Sequence, residues 1–272
     1  MKSILRGAGK TNATFRIGFA LALLIGGITL IGFFYLPHDY NAMDSGNRFS
    51  PPGINYLMGT DNFGRDVFSR VMAGAKYTLF TAILTVAGSA ALGSALGMFS
   101  GFAGGLADEI IIRLVDTLSS IPGILLALVM VSLMDNSMGT LIIALLVLFI
   151  PGFTRIMRNG ILQYKNRDFI LAARIAGISS PRIIFFHIFP NLIPSLLSAS
   201  VLGLSNAILA ESTMSYLGLG IQPPVPSWGR MLSESQTFLY NAPWCAIAPG
   251  MMIMLTVLAF HYLGEGLRER VI

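Results

Sequence analysis

Charged residues are scarce in this sequence. Only 11% of its 272 residues are Asp, Glu, Lys or Arg, whereas 54% are hydrophobic, and an ordinary soluble domain carries about 25% charged residues. The composition therefore excludes an ordinary water-soluble domain and makes lipid the main solvent of the chain. In lipid a segment must satisfy its own backbone hydrogen bonds, and long apolar runs without alternation do so as helices. The sequence predicts an all-α membrane protein.

Cysteine and histidine are too few to organise a metal site. The single cysteine, Cys245, can form no internal disulfide. The histidines, His38, His187 and His261, show neither His-x-x-x-His spacing nor a neighbouring cysteine pair, so no metal site is predicted. The net charge of +5 comes from basic residues dispersed between apolar runs. Without a basic and aromatic groove, no nucleic-acid partner is predicted.

Six apolar runs are long enough to cross a bilayer, which needs about 20 helical residues. They are residues 15–36, 77–99, 114–134, 141–157, 192–210 and 246–263. The first run follows Lys2, Arg6, Lys10 and Arg16 and exceeds the apolar core of a signal peptide, so it is interpreted as an uncleaved anchor. The sequence thus predicts six transmembrane helices.

The basic residues predict the orientation. Five of the 18 Lys and Arg residues lie on one side of the predicted spans, and the other 13 lie on the side that holds both termini. Cytoplasmic loops carry the excess of Lys and Arg, so both termini are predicted to be cytoplasmic. The outer five are Arg48, Arg65, Arg70, Lys76 and Arg230.

The pattern divides the chain into two parts. Residues 1–76 are predicted to form an N-terminal anchor helix and an extracytoplasmic segment, and residues 77–272 a five-helix core with a cytoplasmic loop at about 155–190. Within 61–75, apolar residues recur on one helical face and predict a short helix on the outer membrane surface. In the second outer segment, 211–244, the proline-rich run 222–228 predicts a rigid turn, with Trp228 and Trp244 as interfacial anchors.

Three features of the spans suggest specific contacts. Gly93, Gly97 and Gly101, with Gly105 one step beyond, share one helical face and predict a close helix packing. Asp116 lies three residues after Arg113 and is expected to pair with it. Glu211, at the outer end of the fifth span, is a candidate contact for a cationic group in a substrate path, because intramembrane acids often face the bundle interior. The alternative is a snorkelling or interface-paired acid.

The inner loop contains a short predicted helix. Asp168 can cap it, residues 169–176 favour helix, Gly177 can end it, and Ser180-Pro181 can begin another. Small side chains at Ala172, Ala173 and Ala176, with Arg174 beside them, would let the helix enter a partner's groove. The alternative is a connector held at the anionic lipid surface by its basic residues.

Three motifs resemble a known family. The run DFILAARIAG at 168–177, followed by IFPN at 188–191, resembles the EAA loop of binding-protein-dependent ABC importer permeases. The runs GTDNFGRDVFSR at 59–70 and SYLGLGIQPP at 215–224 resemble the dipeptide, oligopeptide and nickel branch, in particular its second, C-type permease. The chain departs from the family pattern at Leu171, where the loop has Glu, and at His261, where the last span has Asn.

The resemblance implies a type I ABC importer permease fold in the bacterial inner membrane. It implies a heterodimer with a homologous second permease, two cytoplasmic ATPase subunits that hold ATP and Mg, and an extracytoplasmic solute-binding protein. The cargo implied is a dipeptide or oligopeptide, with nickel or a metal chelate as the alternative. The ATPase-coupling residues implied are Asp168, Phe169, Ala172, Ala173, Arg174, Ala176 and Gly177, and the candidate binding-protein contacts are Arg65, Asp66 and Trp228.

Enzymatic activity and ion coupling are the competing classes. The run GAGKT at 7–11 imitates the end of a phosphate loop, but Ile4 stands where that loop needs glycine. The chain is therefore predicted to hold no nucleotide or other cofactor and to be no enzyme. An ion-coupled secondary transporter would place ionisable groups at the bilayer midplane and often contains internal repeats. Here the charges cluster at the span ends, which favours the importer.

Overall fold

The computed structural model describes residues 2–271, with side chains described only for residues 13–269. The basic side chains predicted to be cytoplasmic at Lys2, Arg6, Lys10 and Arg270, like the run 7–11, lie outside the described side chains. Within residues 2–271 the chain forms ten α-helices and no strand. They are α1 (Lys2–Phe34), α2 (Val67–Ala103), α3 (Gly105–Ser120), α4 (Gly123–Leu133), α5 (Met138–Tyr164), α6 (Asp168–Ile175), α7 (Ser180–Ile183), α8 (Phe189–Tyr216), α9 (Trp228–Ser235) and α10 (Trp244–Val271).

Five stretches of helix are long and apolar enough to cross a membrane by themselves. They are α1, α2, α5, α10 and the continuous stretch from α7 through α8, which contains a π-helical turn at Ile184–Ile188. These stretches contain five of the six predicted spans. The expected all-α membrane architecture is therefore confirmed.

The predicted third span is not one straight helix. Residues 114–134 are divided between α3 and α4, whose axes differ by 90°. The break falls at Ile121, whose extended backbone (φ −84°, ψ 130°) precedes Pro122. Proline disfavours helical geometry in the residue before it and lacks the N–H that a continuing helix would need. Counted as one broken span, this bent pair brings the number of crossings from five to six.

The first outer segment contains no separate surface helix. The Asp66 carboxylate accepts hydrogen bonds from the Ser69 backbone N–H at 3.0 Å and from the Ser69 hydroxyl at 2.6 Å, which starts α2 at Val67. The helix then continues to Ala103, so the boundary predicted at residues 76 and 77 falls inside it. Its first apolar turns are buried against the chain itself. A pattern of apolar residues alone cannot distinguish that packing from contact with lipid.

Helices α2 and α5 meet along a glycine face. A Cβ atom added at Gly97 would lie 2.4 Å from the Thr154 carbonyl oxygen, and one at Gly93 would lie 2.7 Å from Phe153 Cβ. At Gly101 it would lie 3.0 Å from the Arg158 carbonyl oxygen. The predicted close packing is confirmed for these three glycines, because only their missing side chains allow the approach. Gly105 lies outside the contact, at the start of α3, with open space around its Cβ position.

The first and last helices also pack closely. A Cβ atom at Gly18 would lie 2.6 Å from the Leu263 backbone nitrogen, and one at Gly266 would lie 2.7 Å from Phe15 Cβ. The missing side chains at Gly18 and Gly266 therefore allow α1 and α10 to approach this closely. On its opposite side α10 packs against α8, so α1 is joined to the bundle mainly through α10.

The outer end, which comprises residues 35–66 and 217–243, is a structured cap. Gly64 adopts φ +76° and passes so close to the Asp44 carbonyl that no Cβ atom fits there. The Asn47 side-chain amide and the Gly46 backbone N–H donate to the Asp44 carboxylate, and these hydrogen bonds hold the pKa of that carboxyl below its usual value. The indole of Trp244 donates to the Thr60 carbonyl at 3.1 Å.

Candidate docking helix and polar groove

Helix α6 is closed at its C-terminus by a Schellman motif. Gly177, with φ +76°, donates its backbone N–H to the Arg174 carbonyl at 3.0 Å, and Ile178 donates to the Ala173 carbonyl at 3.1 Å. The helix covers Asp168–Ile175, within one residue of the predicted limits. Arg167 takes the capping position, so Asp168 is the first helical residue rather than the cap, where its charge complements the helix dipole.

The face of α6 that bears Ile170 and Ala173 packs against the rest of the protein. Ile170 and Ala173 are buried in a cluster built by α5, α7 and α8. The other buried members are Met157, Ile161, Ile183, Ile188 and Leu192. The prediction that Ala173, with Ala172 and Ala176, forms a strip that enters a partner's groove is therefore wrong for Ala173, because this side chain packs into the cluster. Of the predicted strip, Ala172 and Ala176 are exposed.

Three large apolar side chains of α6 are exposed, and two of them, Leu171 and Ile175, lie one turn apart on the same face. Ile175 is 88% exposed, and Phe169 and Leu171 are 46% and 42% exposed. The exposed Arg174 places its guanidinium 5.4 Å from the centre of the Phe102 ring at the end of α2. An exposed apolar patch on a short, firmly held helix is typical of an interaction site. Leu171 contributes to this patch at the position where the family loop has Glu.

Ion pairs connect α3 to α5 near the same end. Arg158 donates to the Asp108 carboxylate through Nε and Nη2, each at 2.6 Å. The expected pair of Asp116 with Arg113 is wrong. Asp116 instead accepts from Arg155 Nη2 at 2.8 Å, and Arg113 pairs with Glu109, one turn before it. The packing of α5 against α3 places Arg155 closer to Asp116 than Arg113, the neighbour of Asp116 on α3.

A polar groove runs between α5 and α8. Its wider part is a cavity of about 710 Å³ lined by Asn159, Gln163, Asn191 and Ser195 among others. A second cavity of about 240 Å³, lined in part by Asn206, adjoins it at Ile156. Asn159, Gln163, Asn191 and Asn206 are all exposed. Exposed amides are costly against lipid, so this face is suited to water or to another protein subunit.

Sequence reasoning missed this groove. Asn206 is an uncharged amide inside a predicted span, and Asn159 and Gln163 are four residues apart, on one face of α5. Both signals are present in the sequence, but a search for charged residues within the spans does not reveal them. Glu211, the residue proposed for a substrate path, has no exposed surface. It accepts hydrogen bonds from the Ser215 hydroxyl at 2.7 Å and the Ser212 hydroxyl at 3.4 Å, and does not line the groove.

A buried charge cluster binds the outer end together. Arg65 Nε donates to Asp61 at 2.6 Å. The Glu234 carboxylate on α9 accepts from Arg65 at 3.3 Å, from Arg70 at 3.1 Å and from Arg230 at 3.3 Å. One carboxylate therefore joins the first outer segment, α2 and α9.

The three side chains predicted to contact a binding protein are buried. Arg65 is 6% exposed, Asp66 is 3% exposed and caps α2, and Trp228 is fully buried with its indole donating to the Val71 carbonyl at 2.9 Å. These residues hold the outer end in shape, which argues against that assignment. The burial of Trp228 also corrects its prediction as an interfacial anchor.

The comparisons with known proteins agree with this architecture. Residues 93–272 match the family described as binding-protein-dependent transport system inner membrane component. The dipeptide transport system permease protein DppC of Haemophilus influenzae is 37% identical over 266 residues, which cover 96% of this chain and 90% of that protein. The glutathione transport system permease protein GsiD of Pectobacterium atrosepticum is 38% identical over 231 residues, which cover 85% and 75% of the two chains.

A solved structure supports the fold. The inward-facing MetNI methionine ABC transporter aligns with a TM-score of 0.59 at 19% sequence identity, covering 73% of this chain and 94% of the matched chain. At that identity the likeness shows the type I permease fold alone. From the family match and the two relatives together, the chain belongs to the binding-protein-dependent transport system inner membrane components and is a permease subunit of an ABC importer.

Proposed function

We propose that this permease imports dipeptides or oligopeptides as a heterodimer with a homologous second permease, and that two cytoplasmic ATPase subunits drive it through α6. The observation that carries the proposal is the exposed apolar face of α6 formed by Leu171 and Ile175, one turn apart, with the half-exposed Phe169 at the start of the helix. A short amphipathic helix that presents such a face to a groove is a common mode of protein recognition. ATP and Mg would be held by the ATPase subunits.

The attachment of α6 supports a mechanical role. Ile170 and Ala173 pack into the same cluster as residues of α5, α7 and α8, so a displacement of α6 would be transmitted to those helices. Helices α5 and α8 also line the polar groove. A movement imposed on α6 would therefore widen or narrow the groove, which is the motion that alternating access requires.

The groove supports a peptide as cargo. Its amides at Asn159, Gln163, Asn191 and Asn206 donate and accept hydrogen bonds without carrying charge, which suits backbone groups of varied peptides. The relatives are named for dipeptide and glutathione transport. A second permease that faces this groove would enclose a path, and a solute-binding protein on the outer side would deliver the peptide and supply most of the selectivity.

The docking role is tested by Ile175→Asp. Burying an isoleucine contributes about 1.5–3 kcal/mol, and a buried unpaired carboxylate costs more, so retention of the ATPase subunits on the purified permease should fall about tenfold to a hundredfold. Dipeptide uptake should fall with it. The matched control is Ile54→Asp, because Ile54 is 99% exposed on the outer segment. Normal ATPase retention in Ile175→Asp would refute docking through α6.

The cargo is tested by uptake of labelled dipeptide and of labelled nickel in cells with and without the chain, with ATP depletion as the control. Loss of ATP-dependent dipeptide uptake alone supports the peptide proposal. Loss of nickel uptake alone would replace it with the nickel or metal-chelate alternative. Uptake that persists after ATP depletion would indicate an ion-coupled mechanism instead.

A further inference from the structure

An apolar groove lies where the end of α1 meets α2. It encloses about 390 Å³. Phe33 of α1 forms one wall, and Leu79, Phe80 and Ile83 of α2 form the other. Phe33, Phe80 and Ile83 are about half exposed, so the groove is open to whatever surrounds the chain. Lys76 stands at its outer mouth.

The mouth of the groove lies at the C-terminal end of α1. Helix α1 ends at Phe34, and the Lys76 ammonium lies 4.4 Å from the centre of the Phe33 ring, on the last turn of α1. The same ammonium lies 5.6 Å from the Tyr77 ring. Tyrosine and lysine side chains concentrate at the boundary between lipid and water, where an apolar stem meets a polar tip. Lys76 is therefore at the depth of phospholipid headgroups.

Lys76 has no acidic partner among residues 13–269, whose side chains are described. Three other basic residues of the outer end, Arg65, Arg70 and Arg230, pair with Asp61 or Glu234. No carboxylate lies within ion-pair distance of Lys76 among the residues whose side chains are described, and the side chain is exposed. Its two aromatic contacts fix the position of the ammonium and leave N–H donors available.

We propose that this groove binds one anionic phospholipid, with the lipid phosphate on Lys76 and one acyl chain between α1 and α2. The walls are apolar down to Ile83, which lies seven residues or about 10 Å below Lys76 along the helix. That length is about a third of the hydrocarbon core and accommodates the upper part of an acyl chain. The unpaired ammonium favours a headgroup with net negative charge over a zwitterionic one.

The experiment uses the complete importer in nanodiscs that contain phosphatidylglycerol and phosphatidylethanolamine in equal amounts. A photo-crosslinking amino acid replaces Phe80 in the groove, and in a second sample it replaces Leu92, which is exposed on the same helix beyond the groove. Mass spectrometry of the crosslinked chain then identifies the captured lipid. The Phe80 probe should capture phosphatidylglycerol about fivefold more often, relative to phosphatidylethanolamine, than the Leu92 probe does.

Variants at Lys76 test the proposed contact. In the Phe80 sample, Lys76→Gln should remove the fivefold preference and Lys76→Arg should keep it. Arg48→Gln serves as the matched control, because Arg48 is another exposed outer residue that lies outside the groove. An equal preference at both probes, or a preference that survives Lys76→Gln, would overturn the proposal. Crosslinking of the Phe80 probe to another protein chain would also overturn it, by showing that a subunit covers the groove.

Discussion

Replacing Gly97 with alanine tests the contact between α2 and α5. Among the three glycines of that contact, Gly97 has the shortest approach, with the Thr154 carbonyl oxygen 2.4 Å from the position of an added Cβ atom. Met157 Cβ and the Arg158 backbone nitrogen would each lie 2.9 Å away. Two of these three atoms belong to the α5 backbone and cannot rotate aside, so the helices must separate to admit one methyl group.

The expected cost follows from two opposing terms. Overpacking a tight contact destabilises by about 1–3 kcal/mol, and the present case lies at the upper end because the obstacle is backbone. Alanine recovers about 0.5–1 kcal/mol relative to glycine within a helix. The net loss of stability is therefore about 2 kcal/mol. At about 2–4 °C per kcal/mol for a chain of this size, the melting temperature should fall by about 4–8 °C.

Gly27→Ala provides the matched control, since no atom lies within 4 Å of its Cβ position in α1. The same substitution there should leave the melting temperature unchanged or raise it slightly. The measurement is fluorescence-detected size-exclusion chromatography of the tagged chain after heating, which follows this subunit alone. If Gly97→Ala melts at or above the wild-type temperature, the close packing of α2 on α5 does not hold in the membrane.

Two further predictions concern ion pairs. Glu234→Gln removes the carboxylate that three arginines share. Because the cluster is largely buried, this change should reduce stability by about 3 kcal/mol and make the outer segment more sensitive to protease. The control Glu265→Gln, from an exposed pair, should change stability by about 0.5 kcal/mol or less. Arg158→Ala breaks the two-bond contact with α3 and should reduce stability by about 2 kcal/mol, measured by thermal unfolding. Arg113→Ala, at an exposed pair, should be close to neutral. Equal effects within either pair of variants would contradict the assigned burial.

Much of the fold follows from local sequence rules. Apolar runs of sufficient length located the spans because a bilayer accepts only segments that satisfy their own backbone. The four-residue spacing of Gly93, Gly97 and Gly101 located the α2–α5 contact, since i and i+4 share a helix face. The bend within residues 114–134 could also be predicted from the sequence, because Ile121-Pro122 interrupts that apolar run. The mean hydropathy of the run does not show the helix-breaking effect of Pro122.

Other features depend on tertiary structure and could not be obtained from the pattern alone. The limits of α6 were predictable from Gly177 and Ser180-Pro181, but its rotation against α5 and α8 was not, so Ala173 was placed on the wrong face. Arg65 and Asp66 of the 59–70 motif are predicted from the sequence as contacts for a binding protein. Arg65 pairs locally with Asp61, but both arginines of the motif also donate to Glu234, more than 160 residues away, and no local rule pairs residues at that separation.

The packing of α1 against α10 has a consequence for biosynthesis. The ribosome makes α1 first and α10 last of the ten helices, yet Gly18 on α1 and Gly266 on α10 fit only against each other's helix. During translation α1 therefore remains in the membrane without α10, its main packing partner, until the rest of the subunit has been inserted. A product that stops before α10 leaves the Gly18 face of α1 uncovered, with α1 held mainly by its smaller contact with α2.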